Sequence, residues 1–206
     1  MKKDRLDKQL EFILAIDKEK NIFRQTYVSD ASRMENDAEH AWHMAVMCMI
    51  LSEYAEHPID KLKTMTMLLI HDLVEIYAGD TYAYAGVDAE EIHQREYAAA
   101  EKLYGMLPEE QGTYFMNLWK EFEEGKSPEA QFARTMDRIQ PMMLNAATDG
   151  RAWKEHKVRL SQIMKRNEHT AEGSSVLWDY ALKHFVMPHV ESGEIIDDET
   201  YSTGLK

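Results

Sequence analysis

Apolar residues recur at three- and four-residue spacing along almost the whole chain, and strict alternation is nearly absent. That period predicts helices and almost no sheet. A first helix is expected from Asp4 to about Lys18, with Leu6, Leu10, Ile13 and Leu14 on one stripe. A polar connection then runs from Asn21 to Asp37. A second helix is expected from about Ala38 to Glu56, stopping before Pro58. A third spans about Asp60 to Tyr77, with Leu62, Met65, Leu69, Leu73 and Ile76 stepping by three or four. Met67, Leu68 and Ile70 lie off that stripe, so this helix is apolar most of the way round and is expected to be central.

Gly79 ends the third helix, and Asp80 to Val87 reads as a loop rich in Tyr and Gly. Asp88 is placed to cap a helix running to about Tyr104. Pro108 and Ser127-Pro128 mark two further helix starts. The helix opened by Pro128 carries Phe132, Met136, Ile139 and Met143 and reaches about Ala147, with Pro141 expected to kink it. Two last helices are expected over Glu155 to Lys165 and Ser175 to His189. The pattern therefore predicts an all-α bundle of about eight helices. Residues 1–192 form one domain in this reading, and residues 193–206 an acidic tail.

Composition narrows the partners. The chain holds 24 Lys plus Arg against 37 Asp plus Glu, a net charge of −13. Such a surface repels phosphate backbones, so no nucleic acid partner is expected. No run reaches the ~18 consecutive apolar residues of a membrane span. The opening MKKDRLDKQLEF has positive charge without an apolar run behind it, so it does not read as a secretory signal. Cys48 is the single cysteine and sits in an apolar, Met-rich run, which reads as core packing. A cytoplasmic protein is expected.

Three segments could carry chemistry. The first is His71-Asp72 followed by Glu75, in the most apolar helix. Burying those carboxylates uncompensated is expensive, and a metal ion or an arginine would offset the cost. The second is Glu39-His40-Ala41-Trp42-His43, where His40 and His43 share a helix face and either is a possible ligand. The third is Asp137, between apolar neighbours, for which a local pairing with Arg134 or Arg138 is the plain alternative. Two imidazoles and two carboxylates from three helices would make a mixed nitrogen–oxygen site suited to Mn, Fe, Co, Ni or Zn rather than Mg or Ca. Such a site leaves positions for water and substrate, and lowers the pKa of that water toward neutrality. Glu75 and Asp80 are the spare carboxylates able to orient the water or protonate a leaving oxygen. The zincin, P-loop and nucleophile-elbow patterns are absent.

The run Arg33-Met34-Glu35-Asn36-Asp37-Ala38-Glu39-His40, the run His71 to Asp80, and Asp137 together resemble the HD-domain phosphohydrolases, in particular the branch that includes 5′-deoxynucleotidases. The order is a histidine, about thirty residues, His-Asp, about sixty-five residues, and an Asp. The resemblance implies an all-helical HD bundle with one divalent metal held by His40, His71, Asp72 and Asp137. It also selects His40 over His43, which is left toward the site rim. It implies catalytic roles for Glu75 and Asp80, a phosphate contact from Arg24, and a homodimer. In this branch a tryptophan against the sugar follows that arginine, whereas here Gln25 stands in its place. A hydrogen-bonding Gln is able to accept a 2′-hydroxyl, and such contacts discriminate strongly.

The expected activity is hydrolysis of a small phosphomonoester, foremost a (deoxy)nucleoside 5′-monophosphate, by a metal-activated water. Arg24, Gln25, Arg33 and His43 would contact the substrate. The competing readings keep the fold. They are a nucleoside triphosphate or non-nucleotide phosphate ester as substrate, a non-catalytic metal- or nucleotide-binding module, and a purely structural bundle.

Overall fold

In the computed structural model, residues 4–79 and 89–198 are described. The fold is helical. In chain order the helices are α1 (Arg5–Ile16), α2 (Asp37–Leu51), α3 (Lys61–Ile70), α4 (Glu75–Ala78), α5 (Ala89–Tyr104), α6 (Glu109–Glu124), α7 (Pro128–Ala147), α8 (Arg151–Glu155), α9 (Leu160–Arg166), α10 (Thr170–Gly173), α11 (Ser175–Ala181) and α12 (Met187–Glu191). Among the described residues no helix is long and apolar enough to cross a membrane.

The polar connection expected between Asn21 and Asp37 contains a small antiparallel ladder instead. Strand β1 (Phe23–Tyr27) pairs with β2 (Met34–Asn36), with Phe23 opposite Asn36, Tyr27 opposite Met34, and an irregularity between. A strand this short carries too few alternating positions to register in the hydrophobic pattern. Its effect is positional, because β1 delivers Arg24 and β2 runs directly into α2. The entry to α2 is a capping box: Asn36 Oδ1 accepts from Glu39 N–H at 3.0 Å, and Glu39 Oε2 accepts from Asn36 N–H at 3.2 Å. That box fixes where the first turn begins and so the direction of His40.

The core forms where α2, α3 and α7 pack on one another, around Met44, Met67, Leu68, Phe132 and Met136, all fully buried. Here the expected phase of α1 is reversed, and that of the third expected helix holds only in part, through Leu73, Met65 and Ile76. In α3, Leu62 and Leu69 are exposed, while Met67, Leu68 and Ile70 are buried. In α1, Phe12 and Ala15 are buried, while Leu6, Leu10, Ile13 and Leu14 are 60%, 55%, 58% and 74% exposed. Both helices are apolar on more than one side, so periodicity alone does not decide which side turns inward. In α3 the chosen side places Thr64, Met67, Leu68 and His71 at helical spacing on the buried face.

The third helix also changes character where chemistry was expected. The α-helix gives way to a 3₁₀ turn over His71–Val74 and resumes at Glu75. Mid-helix 3₁₀ segments often mark functional sites. The helix α7 starts as read, with the Ser127 hydroxyl accepting from Ala130 N–H at 3.2 Å, and continues through Pro141 to Ala147. The segment expected from Ser175 to His189 is α11, a π-helical turn over Leu182–Val186, and α12. Within the expected tail, Ile195 is buried, and Ile196 exchanges backbone hydrogen bonds with Val158 and Leu160 at 2.9 Å each. Asp88, expected as a cap, lies outside the described residues.

Candidate metal centre

His40 enters from α2, His71 and Asp72 from the 3₁₀ turn after α3, and Asp137 from the middle of α7. His40, His71 and Asp72 each offer an atom within 4.8 Å of the others. Asp137 joins them through its Oδ1, which lies 3.2 Å from His40 Nε2 and 3.8 Å from His71 Nε2. The two imidazole centroids are 5.8 Å apart. His40, His71 and Asp72 therefore come together, Asp137 lies against both imidazoles, and His43 stays outside this group.

The orientation of the two rings decides what they can bind. His71 Nδ1 donates to the Leu68 carbonyl at 2.9 Å, and His40 Nδ1 donates to Gln140 Oε1 at 2.9 Å. Each ring thus hydrogen-bonds through Nδ1 on the far side and turns Nε2 to the carboxylates. His71 Nε2 is buried 3.0 Å from Asp72 Oδ2, yet makes no well-aligned hydrogen bond. Lone pairs facing carboxylate oxygens repel unless a cation, either a proton or a metal, lies between them. A divalent ion fits this donor set of two imidazole nitrogens and two carboxylates, and the outer hydrogen bonds are those that usually orient ligating imidazoles.

The two rings differ in charge, and without a metal ion a proton on His71 offsets the carboxylates. Burial, with Arg24 nearby, pushes His40 down to about 4, so its imidazole is neutral at physiological pH. Burial also pulls His71 down, but Asp72 and Asp137 outweigh it and hold it well above its ordinary value. Both carboxylates resist burial and lie below the usual range, Asp72 because of His71 and Arg24, Asp137 because of His40, His71 and Arg138.

Around this centre lies a second layer. Arg24 Nη1 reaches Asp72 Oδ2 at 2.7 Å and Asp37 Oδ1 at 3.1 Å. The phosphate-clamping arginine expected on sequence thus sits beside the cluster, held by two carboxylates. Asp37 is fully buried, and burial together with repulsion from Asp72 raises it to about 6, while hydrogen bonding to Glu75 acts against that rise. Glu75 is half-buried one turn beyond His71-Asp72. Gln25 is half-buried on β1. Arg33 is exposed, and its guanidinium forks onto Glu39 at 2.7 and 2.6 Å. His43 Nδ1 faces Gln140 Nε2 at 3.2 Å. Asp80 lies outside the described residues.

Two contributors were not singled out on sequence. Gln140 is fully buried and joins His40, His43 and Glu35, donating to Glu35 Oε1 at 2.7 Å. Its signal was present as a polar residue three positions past Asp137, on the same helical face. Glu19, buried in the turn after α1, is raised to about 7, first by burial and then by Asp72 and Asp37.

A model of the HD domain family matches residues 16–178. The chain belongs to the HD domain family. His71-Asp72 is the His-Asp pair in the motif order that carried the resemblance. Among its HD-domain relatives, human 5′-deoxynucleotidase HDDC2 is 30% identical over 139 residues, 67% of this chain and 66% of that protein. Dictyostelium discoideum 5′-deoxynucleotidase HDDC2 is 32% identical over 143 residues, 66% of this chain and 75% of that protein. The crystal structure of a predicted metal-dependent phosphohydrolase from Magnetospirillum magnetotacticum superposes with a TM-score of 0.86 at 41% identity. It covers 93% of this chain and 95% of that one.

Proposed function

We propose that this HD-domain chain is a metal-dependent phosphomonoesterase that removes phosphate from (deoxy)nucleoside 5′-monophosphates. The observation that carries the reading is the pair of Nε2 atoms turned onto two carboxylates, with both Nδ1 atoms already hydrogen-bonded to Leu68 and Gln140. The 5′-deoxynucleotidase relatives supply the substrate class, and the phosphohydrolase of like structure supports the reaction type.

His40, His71, Asp72 and Asp137 would hold one divalent ion of the Mn, Co, Fe, Ni or Zn group. When bound, such an ion supplies Lewis acidity, polarising a phosphoryl oxygen and lowering the pKa of water. Arg24 binds the phosphate, since its guanidinium is the cation beside Asp72 and presents a fork suited to a phosphoryl group. Glu75 orients the attacking water and takes its proton as its own proton passes to Asp37, its hydrogen-bonded neighbour. Asp80 assists the leaving 5′-oxygen or binds the sugar. Gln25 and His43 border the nucleoside, and Arg33 steers the anion from outside.

The functional unit in this reading is a homodimer, supported by the exposed leucine and isoleucine stripe of α1. A reducing cytoplasmic setting goes with Cys48, a buried free thiol.

The test is phosphate release from nucleoside mono-, di- and triphosphates and simple sugar phosphates, each with Mn, Co, Zn and Mg. Turnover of 5′-monophosphates above all others is expected, and its loss in Asp72→Ala. Full activity in Asp72→Ala, or preference for a triphosphate, overturns the reading.

A further inference from the structure

A second cleft of about 760 Å³ lies on the neighbouring face of α7, bounded by the α6–α7 turn, α9 and α10. Its volume is in the range of small-molecule sites, roughly 300–1,000 Å³. It holds none of the four proposed metal ligands. In a chain of net charge −13, its walls carry five cations, Lys126, Arg134, Arg138, Lys165 and Arg166, against three carboxylates.

Of the carboxylates, Glu172 is held by hydrogen bonds, while Glu124 and Glu168 lie farther from their neighbours. Glu124 lies 3.9 Å from Lys126, Glu172 meets His169 at 2.7 Å and Gln131 at 3.3 Å, and Glu168 lies 3.5 Å from His169. Arg134 and Arg138 stand one turn apart on α7, a spacing at which like charges repel. Arg134 is fixed by donating to the Glu123 carbonyl at 3.0 Å. It packs so closely on Gly125 that a Cβ there would lie 2.5 Å from Nη1. Arg138 meets a carboxylate only beyond hydrogen-bond reach among the described residues, at 3.7 Å from Asp137 Oδ2. Two half-buried guanidiniums thus stand in repulsive register on one wall of the cleft, one of them packed on Gly125.

We propose that this cleft binds a polyphosphate anion, at a site distinct from the His–Asp cluster. The cation count and the volume both exceed what one inorganic phosphate would fill. Arg138 connects the two sites, because an anion that draws its guanidinium into the cleft takes it from Asp137.

The experiment is calorimetric titration of the full chain, without excess metal, with tripolyphosphate and separately with inorganic phosphate. Tripolyphosphate is expected to bind more tightly than phosphate and to weaken steeply with added salt. Lys165→Glu and Arg134→Gln, each checked for an unchanged circular dichroism spectrum, should each weaken it at least about tenfold, the scale of one charge-assisted contact. Heat from stripping bound metal would be common to wild type and Lys165→Glu, so it cannot mimic that difference. Binding that survives Lys165→Glu and disappears in Asp72→Asn belongs to the His–Asp cluster and overturns the proposal. So does absence of binding to the wild-type chain. The readout is binding alone, so it stands or falls separately from the phosphatase reading.

Discussion

Gln140 holds His40 from behind: its Oε1 accepts from His40 Nδ1 at 2.9 Å, while Nε2 of the same ring faces Asp137 at 3.2 Å. Both partners come from α7, one turn apart, so a single helix fixes the ring from two sides. Replacing Gln140 by Ala frees the ring to rotate and leaves buried Glu35 without its donor. Outer-shell changes of this kind typically cost about 10- to 100-fold in metal affinity. Gln140→Ala should therefore lose metal affinity on that scale, read by competition with a chromogenic chelator. Gln140→Glu, which keeps an acceptor for Nδ1, should lose less. Equal affinity in wild type and Gln140→Ala would remove Gln140 from the site.

Glu19 should make the metal-free protein less stable as pH rises. Its ordinary pKa of 4.5 becomes about 7 in the folded chain, chiefly through burial and then through Asp72 and Asp37. Between those values the folded chain binds more protons than the unfolded one, so stability falls as pH climbs through that window and levels off above it. The full shift corresponds to on the order of 3 kcal/mol before solvent screening reduces it. Glu19→Gln removes the titration. In urea melts with chelator present, the variant should match wild type near the ordinary carboxylate range and exceed it above neutrality. Parallel curves at all pH values would contradict the account.

How much of this was legible in the sequence depends on the kind of information involved. His40, His71, Asp72 and Asp137 were singled out as candidates because their order and spacing are linear features. Most helices were legible for the same reason, and the start of α7 at Ser127-Pro128 was read from local chemistry. The helix expected over Glu155 to Lys165 is broken, with α8 ending at Glu155, Lys157 at φ 51° and α9 starting at Leu160. Phase was legible only in part. Leu62 and Leu69 of α3 form as good a stripe as Met67 and Leu68, and only packing against α2 and α7 decides between them. Gln140 was missed because a polar residue in a helix reads as solvated until its burial is known. Arg24 was found by resemblance, but its attachment to Asp37 and Asp72 depends on a hairpin too short to leave a periodic trace.

Gln25 should set the sugar preference. It is half-buried on β1, directly after the arginine that reaches Asp72. A side-chain amide can bond a 2′-hydroxyl, whereas an indole offers one donor and a large apolar face. Gln25→Trp should raise the ratio of kcat/KM for deoxyribo- over ribonucleoside monophosphates by about tenfold, the scale of one discriminating hydrogen bond. Measured with paired substrates of one base, an unchanged ratio would show that Gln25 does not touch the sugar.

The outward stripe of α1 should hold two copies together. Leu6, Leu10, Ile13 and Leu14 fall at helical spacing and are all more than half exposed, while the opposite side of the helix is seated by Phe12 against Phe115 at 6.0 Å. A helix thus anchored by one face and apolar on the other leaves a hydrophobic patch that water does not favour. Covering it with the same stripe of a second copy needs no other partner and gives a closed two-fold pair. Leu10→Glu places a charge mid-stripe without touching the buried face, so the protomer should keep its fold. Light scattering after size exclusion should then give one chain for Leu10→Glu and two for wild type. Two chains in both, with an unchanged dissociation constant, would move the interface elsewhere. One chain in both would remove the dimer altogether.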